Sequence, residues 1–295
     1  MTPETCRLSH ERLDTTRACG LKAAMLICRF PTHSIGTEDV ILISRKTAGQ
    51  RYLWSEQPDE FREQFGKEGF LVSHDLASSS LFSLPRIVEL AQALPENLIE
   101  YNAGDVAIGQ DPLLTPTNGL SPEETIRRIE SCGSWLLLKS VQLEPDYQAL
   151  LAGCLADVRE ILGSSAPEML ALRSFVFVSS PGAVTPFHID PECQFLLQIR
   201  GNKQIQLFDP TDRDIVSEKQ LREYWRGAHR NQPYREVWEP KGVWHSMGPG
   251  TGVHIPVTAP HWVRVLEDVS ISFSVTFETT ATHAIRDAYR KSDKP

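Results

Sequence analysis

The sequence predicts a mainly β fold with α/β additions: a β sandwich or barrel in its second half, preceded by a mixed α/β region. Three observations carry this. After Leu172, short β-rich runs recur at close spacing, separated by Gly and Pro turns. Gly201-Asn202, between the runs Gln194–Arg200 and Lys203–Phe208, is a two-residue hairpin signal. Before residue 165 the clearest patterns are capped amphipathic helices. The expected organisation is a weakly defined segment 1–37, a mixed α/β region 38–165, a β core 166–280 with an insertion at 211–249, and a short C-terminal helix and tail, 281–295.

Each element has its own signal. Val40–Ser44 reads as a short buried strand before a turn at Ala48-Gly49. A short helix is expected over Asp59–Lys67 and a strand over Phe70–Val72. Ser83 can cap a helix over Leu84–Leu94, with Pro85 in its first turn. Ser121-Pro122-Glu123-Glu124 is a capping-box start. Asp146–Leu162 places Leu150, Leu151, Leu155, Val158, Ile161 and Leu162 on one face, and Gly163 stops it. Ser174–Val178, Gly252–Pro256, Trp262–Leu266 and Val269–Glu278 are strands, and a brief helix follows over Thr282–Arg290.

Composition narrows the function. Lys and Arg total 30 against 38 Asp and Glu, a formal charge of −8 over 295 residues. A nucleic-acid surface needs a surplus of cations, so nucleic acid is not an expected partner. No apolar run reaches the roughly 20 residues that span a bilayer. No signal peptide is read at the N-terminus. The cysteines Cys6, Cys19, Cys28, Cys132, Cys154 and Cys193 are scattered without a CxxC pair, as expected of free thiols in a cytoplasmic protein.

The chemistry concentrates at Thr185-Pro186-Phe187-His188-Ile189-Asp190. In an extended segment, residues two apart share a face, so His188 and Asp190 can present an imidazole and a carboxylate to one point. A histidine from a distant strand would complete a 2-His-1-carboxylate triad, which holds Fe(II) by one face and leaves positions open for substrate and oxygen. Downstream, His254 and His261 are the candidates for that third ligand. Lys203, just past the hairpin turn, would return its ammonium to the mouth of the same site, and Thr185 can add a hydroxyl. A metal triad with a fixed cation and hydroxyl suits 2-oxoglutarate, whose keto-acid end chelates iron while its far carboxylate needs a charge-assisted anchor. Alternation puts Phe175 and Phe177 on one face, as pocket wall.

On these residues, positions 172–278 resemble the JmjC branch of the Fe(II)/2-oxoglutarate oxygenases. They are similar to the asparaginyl hydroxylase of hypoxia-inducible factor and to bacterial cupin-like (jumonji-type) proteins. The resemblance implies a double-stranded β-helix core of cupin or jelly-roll type. It implies His188, Asp190 and His261 as iron ligands, and Lys203 and Thr185 as anchors of the 2-oxoglutarate C5 carboxylate. Gln194 and Thr276 stand where the asparaginyl hydroxylase has asparagines that approach the cosubstrate, and Phe177 is expected beside them. The implied activity is hydroxylation of a protein, peptide or small-molecule substrate with O2, and the C-terminal helix offers a contact for a homodimer. Two alternatives stay open: a cupin metalloenzyme that does not use 2-oxoglutarate, and a non-catalytic cupin-like regulatory or interaction protein.

Among the remaining side chains, Cys193 reads as a small buried residue, and His245 as surface or substrate-facing. Trp225, Trp238, Trp244 and Trp262 read as packing around the insertion. Arg222, Arg226, Arg230 and Arg235 read as a solvated face.

Overall fold

The computed structural model describes residues 51–291. The first half contains β1 (Leu53–Trp54), α1 (Pro58–Gln64), β2 (Phe70–His74), α2 (Leu84–Ala93), β3 (Ile99–Ala103), α3 (Pro122–Arg127), β4 (Ser134–Lys139) and α4 (Pro145–Leu162). The second contains β5 (Leu170–Ser179), β6 (Val184–His188), β7 (Cys193–Arg200), β8 (Lys203–Leu207), α5 (Glu218–Trp225), β9 (Val243–Met247), β10 (Thr251–Ile255), β11 (His261–Val265), β12 (Ser270–Glu278) and α6 (Thr280–Lys291).

The strands form two antiparallel sheets. One has eight strands in the order β1-β2-β10-β7-β12-β5-β4-β3, the other four in the order β6-β11-β8-β9. Strand alternation sorts the side chains of the large sheet. Phe195, Leu197, Phe273, Val275 and Phe277 form its outer face and pack under Ile87 and Leu90 of α2 and Leu151, Leu155 and Val158 of α4. The amphipathic stripe of α4 exists to cover this face, and each large side chain buried there stabilises the fold by about 1.5–3 kcal/mol. On the inner face, Leu196, Val253 and Ile255 meet Ile205, Leu207, Met247 and Val263 of the small sheet, so the two sheets pack face to face. The outside of the small sheet is covered by Phe187, Phe208, Leu221, Trp225, Trp238 and Trp262.

The inner face of the large sheet is also polar. Gln194, Gln198, Ser270, Ser272, Ser274 and Thr276 are all buried there. Part of this is self-satisfied: Gln198 Nε2 donates to the Ser270 hydroxyl at 3.0 Å, and its Oε1 accepts from Ser272 at 2.6 Å. A polar wall between two sheets costs stability unless every group finds a partner. Ser274 Oγ is buried with none.

The sequence-based elements and the structure agree over most of the described chain and differ at informative places. The hairpin forms as expected, with Gly201 left-handed at φ 69°. A Cβ at that position would run into the Val269 carbonyl, so only glycine fits. Ser83 precedes α2 but makes no side-chain cap; its carbonyl receives the Ile87 N–H at 3.0 Å. A full capping box forms instead at Ser217 and Gln220, opening α5, which had no assigned element. The expected division into a mixed α/β region and a β core is not a division of sheets. β2 joins the large sheet through β10, and β3 and β4 join it through β5. Likewise the segment 211–249, expected as an insertion, ends in β9, the fourth strand of the small sheet. The strand expected at Val40–Ser44, the turn at Ala48-Gly49, and Cys6, Cys19 and Cys28 lie outside the described residues; Cys132 and Cys193 are free thiols among the described residues. No helix among the described residues is long and apolar enough to cross a membrane.

Candidate metal centre and adjoining cavity

β6 and β11 pair antiparallel with His188 directly opposite His261. A turn with Thr258 in the left-handed region at φ 56° leads into β11. That turn is tied to the other ligand strand: the Thr258 N–H donates to the Asp190 carbonyl at 2.8 Å. The fold therefore fixes the backbone around all three side chains before any ion is considered.

His188, Asp190 and His261 are buried, and one ligand atom from each lies within 4.8 Å of the others. His188 Nε2 is 3.4 Å from Asp190 Oδ2, and His261 Nε2 is 3.7 Å from it. Each imidazole has its Nδ1 against a main-chain carbonyl two residues earlier, Pro186 O at 2.7 Å for His188 and Ala259 O at 2.9 Å for His261. A carbonyl can only accept, so both Nδ1 atoms carry a proton, which leaves Nε2 of each ring as the atom that can ligate. This orienting bond is what metal-bound histidines require. Burial, reinforced by His188, pulls the pKa of His261 down to about 3, so its ring is neutral at ordinary pH. Burial alone would raise Asp190, but His188, Arg230 and His261 hold it well below the usual carboxylate range. Two imidazoles and one carboxylate, dry and pre-aimed, fit a divalent ion.

The rival histidine is elsewhere. His254 lies on the outer face of the large sheet, stacked on Phe65 with ring centroids 5.0 Å apart. Its Nε2 accepts the Gly66 N–H at 3.0 Å, and its Nδ1 meets the Gln194 carbonyl at 3.1 Å. Both ring nitrogens are spent on backbone, and burial pulls its pKa down to about 3.

Lys203 sits on the same face of the small sheet as His261. It lies opposite Val265 and Met247, while Leu207 lies opposite His261. It is only 4% exposed. Burial alone brings its pKa down to about 7. No carboxylate faces it among the described residues. Thr185, half-buried, lies opposite Val263 on the neighbouring strand. Gln194 and Thr276 are direct cross-strand neighbours in the polar wall. Phe177 packs partly against the cluster between the sheets.

A cavity of about 80 Å³ adjoins His188, with Glu100, Asn102, Trp135, Thr185 and Arg230 among its walls. Arg230 is not the solvated side chain its charge pattern implied. The Ile189 N–H donates to the Arg230 carbonyl at 3.1 Å, and Asn231 bridges to His188, so the segment lies along the end of β6. The Arg230 guanidinium then stands 3.7 Å from Asp190 Oδ1. Glu100, Asn102 and Trp135 were not among the expected site residues. His245, expected at the surface or facing substrate, is half-buried beside Ile205 with Nε2 enclosed and unpartnered. Cys193 is 3% exposed on the outer face of the large sheet, away from the ligand set. Trp225, Trp238 and Trp262 pack in one cluster, with Trp244 edge-on to Trp262.

Two antiparallel sheets packed face to face over a buried His–Asp–His group define a class: β-sandwich proteins with two histidines and a carboxylate grouped as a metal ion could be held. No family model matches the sequence. Among solved structures, the fold is similar to that of E. coli YcfD, with a TM-score of 0.52 and 16% identity over 77% of this chain and 54% of that one. A second structure of that protein, a ribosomal oxygenase in complex with cobalt and 2-oxoglutarate, gives a TM-score of 0.48 and 16% identity over 82% of this chain and 57% of that one. This chain thus spans little more than half the length of the proteins it matches, and what it shares with them is the fold.

Proposed function

We propose that the chain is an Fe(II)- and 2-oxoglutarate-dependent oxygenase that hydroxylates a substrate C–H, built on a double-stranded β-helix of the JmjC/cupin-like type. The observation that carries this reading is a pairing. A buried three-residue ligand set stands on the same face of the small sheet as a buried lysine ammonium that no carboxylate faces among the described residues. A buried cation without a counter-charge is costly, and it persists where an anionic ligand completes it.

Bound by His188, Asp190 and His261, the iron supplies the redox chemistry by which 2-oxoglutarate, O2 and a C–H group become succinate, CO2 and C–OH. The chain's own groups do the rest. Lys203, with the Thr185 hydroxyl beside it, binds the C5 carboxylate in a charge-assisted bond. Gln194, Thr276 and Ser274 offer amide and hydroxyl groups along the same wall. Phe177, Leu196, Ile205 and Val263 keep water out, which strengthens every charge interaction inside. The Pro186 and Ala259 carbonyls hold both ligand rings in the Nε2-free tautomer.

The test is succinate formation from 2-oxoglutarate with iron and ascorbate. Wild type should turn 2-oxoglutarate over slowly even without substrate, and His188→Ala and Asp190→Ala should not. Lys203→Ala should weaken 2-oxoglutarate binding by about 2–5 kcal/mol. A metal-loaded wild type that neither binds nor consumes 2-oxoglutarate overturns the reading.

A further inference from the structure

We propose that the cavity beside His188, walled by Trp135 and Arg230, is the substrate's seat and recognises a carboxylate on the molecule to be oxidised. This rests on the oxygenase reading for the word substrate, but the binding site is argued from the cavity itself.

The first argument is position. The cavity shares His188 and Thr185 with the ligand strand, while its other walls come from β3, β4, the loop around Pro112 and the strap at 229–231. The strap is pinned by the Ile189–Arg230 bond and by the Gln232 N–H donating to the Phe187 carbonyl at 2.9 Å. A molecule resting here touches His188 of the ligand set.

The second argument is the hydrogen-bond inventory. Trp135 is 7% exposed, and its indole N–H has no partner among the described residues. Burying an indole N–H unpaired is a cost that an acceptor on a ligand removes. Arg230 carries a fork of donors; its one ion pair within 4 Å among the described residues is the loose 3.7 Å approach to Asp190, and the Glu100 carboxylate is the next anion in its field. Such a fork matches the two oxygens of a carboxylate. The competing anion on the wall, Glu100, makes its direct contact with Lys139 at 2.6 Å, and Arg230 and Lys139 together hold its carboxyl below the usual range. Burial lowers the pKa of His229, the remaining titratable wall residue, so it adds no charge above neutral pH.

The third argument is charge. Glu100 with Lys139, and Asp190 with Arg230, cancel in pairs. A divalent ion and the 2-oxoglutarate dianion cancel each other as well, so with Lys203 counted the filled site keeps one net positive charge. One carboxylate restores neutrality, where a cationic group would add to the excess. The size agrees: 80 Å³ holds two or three water-sized groups at about 30 Å³ each, enough for a carboxylate on a short stem.

The experiment uses protein labelled with 15N at the indoles of its six tryptophans, loaded with Zn(II) and N-oxalylglycine. Trp135→Phe identifies the Trp135 signal. Acetate should move that signal saturably, and acetamide at equal concentration should not. Arg230→Met should raise the acetate Kd by about tenfold or more, and Arg230→Lys should recover part of it. Capped Gly-Glu-Gly against its Gln counterpart separates an acidic side chain from a free acid as the source of the carboxylate. An equal response to acetamide, or no response to Arg230→Met, overturns the proposal. So does acetate binding that vanishes when Zn(II) is left out, since the ion would then be the receptor. If the oxygenase reading fails instead, N-oxalylglycine will not bind, while acetate will still move Trp135 in the metal-free protein.

Discussion

The rings of His188 and His261 face each other across the β6–β11 pair with centroids 4.1 Å apart, each turned by its own backbone carbonyl so that Nε2 points at Asp190. Two imidazoles are held close beside a buried carboxylate. The fold spends stability to assemble this cluster, and an ion bound there would return it.

A divalent ion should therefore stabilise the protein. At a hundredfold excess over its Kd, Co(II) should add about 2.7 kcal/mol of unfolding free energy, read as a rise in Tm by scanning calorimetry. His261→Ala or Asp190→Ala should abolish the rise. A rise that persists in both variants would place the ion elsewhere.

His254 should behave in the opposite way. Its ring fills a slot between Phe65, Phe70 and Phe195, and it receives the Gly66 N–H. His254→Ala should cost about 2–4 kcal/mol in denaturant unfolding through the cavity and the orphaned N–H, and should leave Co(II) affinity within about twofold. Loss of metal binding at unchanged stability would reverse the assignment of the two histidines.

The contrast between these histidines shows which parts of the site were legible. His188 and Asp190 lie on one short extended run, where alternation alone puts both on one face. Lys203 was readable because the Gly201-Asn202 turn fixes the register of its strand. His261 needed a resemblance to choose it, since no local rule shows that His254 faces the opposite side of the large sheet. Arg230 was hidden for a different reason. Its place depends on main-chain bonds to Ile189, forty-one residues earlier in the chain, and its neighbours Arg226 and Arg235 belong to an exposed charge pattern. The same long-range pairing concealed the edge strands: β3, with no buried residue, gives no hydrophobic period, and β9 exposes Val243.

Cosubstrate binding should be linked to a proton. The Lys203 ammonium titrates near 7 when buried alone, and a bound carboxylate raises its pKa again. Above pH 7, binding must then take up a proton, and 2-oxoglutarate affinity should fall as pH rises from 7 to 9. Calorimetry at pH 8 in buffers of different ionisation enthalpy should show proton uptake approaching one in wild type and none in Lys203→Met. Equal heats in all buffers would mean the lysine stays charged without its ligand.

The same lysine should trade stability for binding. Its folded pKa of about 7 lies below the ordinary 10.5, so between those values the unfolded chain binds more protons than the folded one. Stability of the ligand-free protein should accordingly rise with pH through that window, as far as this group decides it, and the penalty should be fully present below pH 7. Lys203→Met keeps the volume and removes the charge, and the neighbouring Ile205, Met247 and Val265 side chains suit a thioether. At pH 6 the variant should be more stable than wild type by about 1–4 kcal/mol in urea unfolding, the range found when buried charges are replaced by apolar groups of similar volume. At pH 10 the gap should narrow, because the wild-type amine is then neutral in the fold. A Lys203→Met variant less stable than wild type at pH 6 would mean that the ammonium already has a counter-charge, and the case for an anion between the sheets would fall with it.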